Sequence, residues 1–150
     1  AQIAALKTSQ IAGVTTDSVT VYKFVEEGGG RILVKFGDKV KDFHVHIIYA
    51  SDKLIKENPK ALRDFLAGWF DTIAFMKNNK DQAIEMAAKR TDVSKAVATE
   101  GYNDTMPIFS ATGKFNPKAL DVLGESFVEL KLLPSKPDMS KLVTEEYLPK

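Results

Sequence analysis

Leu62, Phe65, Leu66, Trp69, Ile73 and Met76 recur at three- and four-residue steps, the spacing that lays apolar side chains along one face of an α-helix. Pro59 suits the first turn of that helix, and Asn78-Asn79 breaks it. A stripe this broad must be covered by other elements, so the fold is constrained by what the remaining sequence supplies as cover.

Most of the supply is helical. Ser51-Asp52 can cap a short helix that ends before Pro59, because the residue ahead of a proline avoids the helical region. Lys80 to Lys89 places Ala83, Ile84 and Ala87 inward, and a weaker pattern runs from Val93 to about Asn103. Pro117 to about Leu130 carries a stripe of Leu120, Leu123, Phe127 and Leu130, and Met139 to Leu148 reads as a terminal helix.

The first forty-nine residues instead alternate. A helix ends near Ser9, Ile11 to Thr15 is a strand candidate, and Asp17-Ser18 can cap a helix over Val19 to Glu27. Gly28-Gly29-Gly30 stops it, Arg31 to Phe36 reads as a strand, and Phe43 to Tyr49 is a clearer one, β-branched and aromatic. The sequence thus predicts an α/β fold, with about three strands in the front third followed by an all-helical C-terminal part. Three strands make a poor sheet for so many amphipathic helices. Ala1 to Lys7 also reads as helix interior without a cap, so the chain is expected to be part of a longer protein whose remainder supplies the missing strands.

Charge and composition narrow the chemistry. Lys and Arg number 21 against 20 acidic residues, which leaves no basic stripe for nucleic acid. No apolar run is long enough to span a bilayer. With no cysteine, disulfides, thiolate nucleophiles and Cys-ligated zinc are excluded.

The order of segments resembles a known family. Ile3-Ala4-Ala5-Leu6-Lys7-Thr8-Ser9-Gln10-Ile11-Ala12-Gly13-Val14 is similar to the "aL-x-x-G-q-i-D-g" segment of the nitrate, sulfonate and taurine class of solute-binding proteins of ABC importers, which includes thiamine-precursor binders. Asp17 to Lys23 stands where those proteins begin a helix, followed by Gly30-Arg31-Ile32-Leu33. Ile47-Ile48-Tyr49-Ala50-Ser51, Asn58-Pro59-Lys60-Ala61-Leu62 and Phe65-Leu66 resemble the family's return segment, "v-x-a-s … P-e-x-v-x-x-F-l". Leu132-Leu133-Pro134 and Leu142 to Leu148 resemble its ending. The family's Gly and Asp are Ser9 and Ala12 here. The resemblance implies a periplasmic binding protein type II-like, two-lobed fold, present in part. Residues 1–43 would end the second lobe, and 44–150 would form the hinge return and the helical C-terminal part of the first. It implies an extracytoplasmic location, a small polar or anionic solute as ligand, and an ABC permease as partner. It also implies that the missing half of the protein, or self-association, covers the apolar faces.

The best ligand-binding candidates are Thr15, Thr16, Asp17 and Ser18. Here a strand exits into a helix start, where backbone N–H groups and hydroxyls suit an anionic or zwitterionic group. The competing reading is plain N-capping, and Asp17 would repel an anion unless it meets an amine. Gly28 to Gly30 follow a helix, the wrong order for a phosphate cradle, and read as a left-handed C-cap. His44 and His46 share a strand face with no third metal ligand in view, so no metal site is expected. Trp69, Phe70 and Phe75 read as core, and Lys53, Lys56 and Lys60 as a solvated face. No catalytic arrangement and no cofactor motif is evident. The leading expectation is therefore a binding module. An enzyme related to thiamine-pyrimidine synthesis on the same fold, or the effector domain of a LysR-type regulator, stands as the alternative.

Overall fold

Prolines and side-chain caps set most helix starts. The computed structural model describes residues 2–149. In chain order the helices are α1 (Gln2–Lys7), α2 (Ser18–Glu26), α3 (Phe36–Lys39), α4 (Asp52–Glu57), α5 (Pro59–Asn78), α6 (Lys80–Thr91), α7 (Lys95–Thr105) and α8 (Pro117–Glu129). Single 3₁₀ turns follow at Met106–Ile108 and Met139–Lys141. Asp17, Ser51, Ser94 and Asn116 each cap the helix that follows, by accepting a hydrogen bond from a backbone N–H of its first turn. Gly28, at φ 72°, ends α2 in a Schellman motif: its N–H reaches Val25 O, and Gly29 N–H reaches Phe24 O.

The α/β expectation is overturned: no strand forms among the described residues. Ile11 and Ala12 lie in a bend, and Phe36 opens α3 instead of closing a strand. Phe43 to Tyr49 runs without helix, turn or bend but finds no partner edge among the described residues. A strand is defined by its neighbour, and propensity alone does not supply one. The terminal helix is also corrected. Beyond the 3₁₀ turn at Met139–Lys141 the tail bonds outward: the Glu145 carboxylate accepts from Phe115 N–H at 2.8 Å, and the Glu146 carbonyl accepts from the Arg63 guanidinium at 2.7 Å.

The chain divides into two compact units, residues 1–34 with 74–109, and 35–73 with 110–150; the division falls at Ile73/Ala74, inside α5. In the first unit α7 packs against both α2 and α6. Its core is Phe24, Ala83, Ile84, Val97, Ala98 and Met106. Each large apolar side chain buried there contributes about 2 kcal/mol. Gly101 is buried in α7, and a Cβ built on it would lie 2.8 Å from Val19 Cγ2, so the glycine lets α2 come close. The Tyr22 hydroxyl donates to the Asp104 carboxylate at 2.6 Å across the same helix pair.

In the second unit the predicted α5 stripe divides. Leu62, Leu66 and Ile73 are buried, whereas Phe65 and Trp69 stack on each other at 6.4 Å and remain part-exposed. Ala119 and Gly124 are the buried positions of α8. Gly113, at φ 75°, turns beneath Phe70, and a Cβ there would lie 2.5 Å from that ring.

Two stability tests follow from these helix contacts. Gly101→Ala gains roughly 1 kcal/mol of helix propensity but forces a methyl into stiff Val19, at a cost of about 1–3 kcal/mol. Chemical denaturation is expected to show a net loss of about 1 kcal/mol. Val19→Ala in the same chain should recover much of it in a double-mutant cycle. Ser9 closes α1 at φ 57°, with its N–H on Leu6 O and Gln10 N–H on Ala5 O. Ser9→Gly is therefore expected to stabilise by about 0.5–1 kcal/mol in the same measurement.

Candidate functional site

α2 presents Thr20, Lys23, Phe24 and Glu27 at three- and four-residue steps, which puts them on one side of the helix and its C-cap. Together with Ile3 and Lys7 of α1, Asp17 and Val19, Thr91 at the end of α6 and Val93 after it, they line a cleft of about 550 Å³ in the first unit. It is a surface cleft, open to solvent over much of its extent.

Of the four predicted residues, only Asp17 lines this cleft. Thr15 and Thr16 are exposed beside it, and Ser18 is the first residue of α2. Asp17 acts as the cap: one carboxylate oxygen accepts from Thr20 N–H at 2.9 Å, the other from the Thr20 hydroxyl at 2.7 Å and the Thr16 hydroxyl at 3.3 Å. Partial burial pushes its carboxyl up, but the bonds from Thr20 and Thr16 outweigh it and hold the group below its ordinary 3.8.

The other charges are also engaged. Lys7 Nζ donates to Glu27 at 2.6 Å and stands 5.9 Å from the Phe24 ring centroid. That hydrogen bond and the lysine's charge hold the Glu27 carboxyl below its usual range. Lys23 Nζ donates to the Asp92 carbonyl at 3.0 Å, and its charge adds to that of Lys7 in holding the Glu27 carboxyl down. Two ammonium groups and two carboxylates therefore line an apolar floor made by Phe24, Val19, Ile3 and Val93. Lys7, Lys23 and Glu27 were not among the sequence candidates. Lys23 and Glu27 were legible as an i, i+4 pair flanking Phe24, but Lys7 is brought in by tertiary packing.

A second cleft, about 610 Å³, lies in the other unit between Arg63, Asp64 and Ala67 of α5 and residues 146–149. Among the described residues its cation is Arg63, which bonds the Glu146 carbonyl and stacks on Tyr147 at 4.9 Å. Residues 146–149 are thus an anchored segment, and the balanced charges of the first cleft make the better site.

The remaining candidates take structural places. His44 packs edge-on against Phe115 at 5.4 Å, while His46 is exposed. Asp42 is held by Lys118 and Asn116. Among the described residues, no group of three or more His, Cys, Asp or Glu is arranged to hold a metal ion. None of their helices is long and apolar enough to cross a membrane. Lys60 pairs with Asp64 at 2.6 Å and Lys53 with Glu57 at 4.0 Å, both on exposed helix faces. No family model, no curated protein and no solved structure matches the chain.

The Asp17 cap has a pH signature. Its folded carboxyl is more acidic than the unfolded one, so the cap's contribution is complete above the unfolded value of about 3.9 and is lost as pH falls through the folded value. A carboxyl-detected NMR titration should place the Asp17 midpoint below 3.8. Asp17→Ala should cost about 1 kcal/mol at pH 7 and much less at pH 2.

Proposed function

We propose that this chain is a ligand-capturing module for a small zwitterionic solute, in the role of the substrate-binding component of an ABC importer. The observation that carries the reading is the neutral cleft of the first unit, in which Lys7 and Lys23 stand with Asp17 and Glu27 around the Phe24 floor. A bare anion would gain from Lys23 but meet two carboxylates. A molecule with an anionic group and an ammonium, such as taurine, can satisfy both signs while its carbon chain meets the apolar lining of the cleft. The segment resemblance supports the same solute class, together with an extracytoplasmic location and a membrane permease as recipient. The two-lobed α/β architecture forms no part of the proposal. Reversible capture requires no catalytic group, only charges that trade their present partners for the ligand's.

Thermal denaturation against taurine, ethanesulfonate, nitrate and a thiamine-type pyrimidine tests the reading. Taurine at 100 times its dissociation constant should add about 2.7 kcal/mol, a rise in Tm of roughly 5–10 °C. Ethanesulfonate, which lacks the amine, should give a markedly smaller rise. Lys23→Met should abolish the taurine response while leaving the unliganded melt within a degree or two. No rise with taurine, or an equal rise in Lys23→Met, would overturn the proposal.

A further inference from the structure

The longest stretch among the described residues without helix, turn or bend is 43–51. It is fastened at both ends. At the front Asp42 is held by Lys118 and Asn116, and His44 packs on Phe115; at the back Ser51 caps α4. Between the fastenings its backbone has no ladder partner, and Phe43 to Ala50 carry no Lys, Arg, Asp or Glu. Val45, Ile47 and Tyr49 are 67%, 55% and 88% exposed. An unpaired, uncharged, β-branched edge without a protective lysine or proline invites another edge.

We propose that a second copy of this chain occupies this edge, residues 43–49 of the two copies pairing antiparallel about a two-fold axis at His46. A two-fold ladder must set one residue opposite its own copy, which leaves a small choice of registers. With His46 on the axis, Phe43 faces the partner's Tyr49 and Val45 faces the partner's Ile47. Aromatic–aromatic and β-branched pairs of this kind stabilise sheets. Centring on Ile47 instead would bring Asp42 toward the partner's Asp52 and Lys41 toward its Lys53, setting like charges against each other. Centring on Val45 would lay Lys41 against Tyr49. The left-handed backbone of Asp42, at φ 49°, and the start of α4 at Asp52 end the ladder on either side. The segment is thus its own complement in one register, and the charges flanking it disfavour the neighbouring ones. A two-stranded ladder is marginal by itself, so the association is weak.

The absence of native cysteine makes the register directly testable. Under mild oxidation His46→Cys alone should give a covalent dimer. Val45→Cys alone should give little, whereas Val45→Cys mixed with Ile47→Cys should cross-link. Sedimentation of the unmodified chain should show a concentration-dependent monomer–dimer equilibrium, weakened at least tenfold by Ile47→Lys with no change in the monomer's melt. A monomer up to several hundred micromolar would overturn the proposal and leave the edge to a partner of different sequence. Equal cross-linking of the three single-cysteine variants, or association that survives Ile47→Lys, would overturn it as unspecific. The ligand melts described above do not depend on this edge, so either idea can fail alone.

Discussion

The first unit is organised by the close approach of α2 and α7, which depends on Gly101 having no side chain. Where Val19 meets that bare backbone, the helices come near enough for Tyr22 to reach Asp104 and for Phe24 to be buried. Ser94, the cap of α7, donates to Glu26 at 2.6 Å, adding a polar tie between the same two segments. The candidate site follows from this contact. Asp17, Thr20, Lys23, Phe24 and Glu27 all ride on α2 or its ends, so the position of one short helix fixes most of the cleft's chemistry.

A nine-residue helix has little stability of its own. α2 persists because each end is closed and one face is buried. Asp17 ties the first turn, the Schellman turn at Gly28 satisfies the last carbonyls, and Phe24 anchors the middle. The cap and the site therefore share a residue. If Asp17 turns toward a ligand's ammonium, it gives up hydrogen bonds that hold the helix start. Affinity at that position would be drawn from local stability, an arrangement common where binding residues sit at element ends.

Much of the helical half was legible. Pro59, Lys80 and Pro117 begin helices where periodicity and proline placement put them, and Leu62, Leu66, Ile73, Ala83 and Ile84 are buried as their spacing required. The strands were not, because β-branched runs such as Phe43 to Tyr49 announce a preference that only a neighbouring edge can satisfy. The terminal helix failed for the opposite reason. Its residues found specific bonds to Arg63 and Phe115 that local spacing could not foresee. Of the hydroxyls clustered in sequence, Thr15, Thr16 and Ser18 do not line the cleft, while its charges come from a helix face and from α1. Contiguity marked the Asp17 cap, whereas Lys7 is separated from it in sequence and joins it by packing.

Trp69 is the only tryptophan in the chain, and it lies on α5 in the second unit, stacked on Phe65 and still partly open to solvent. Indole emission therefore reports on that unit, whereas the first unit holds Tyr22 and Tyr102 and no tryptophan. The molecule thus carries an optical label confined to one of its two units. A fluorescence trace and a far-ultraviolet dichroism trace coincide only when both units lose their structure together, so the unaltered chain already contains the probe of its own cooperativity.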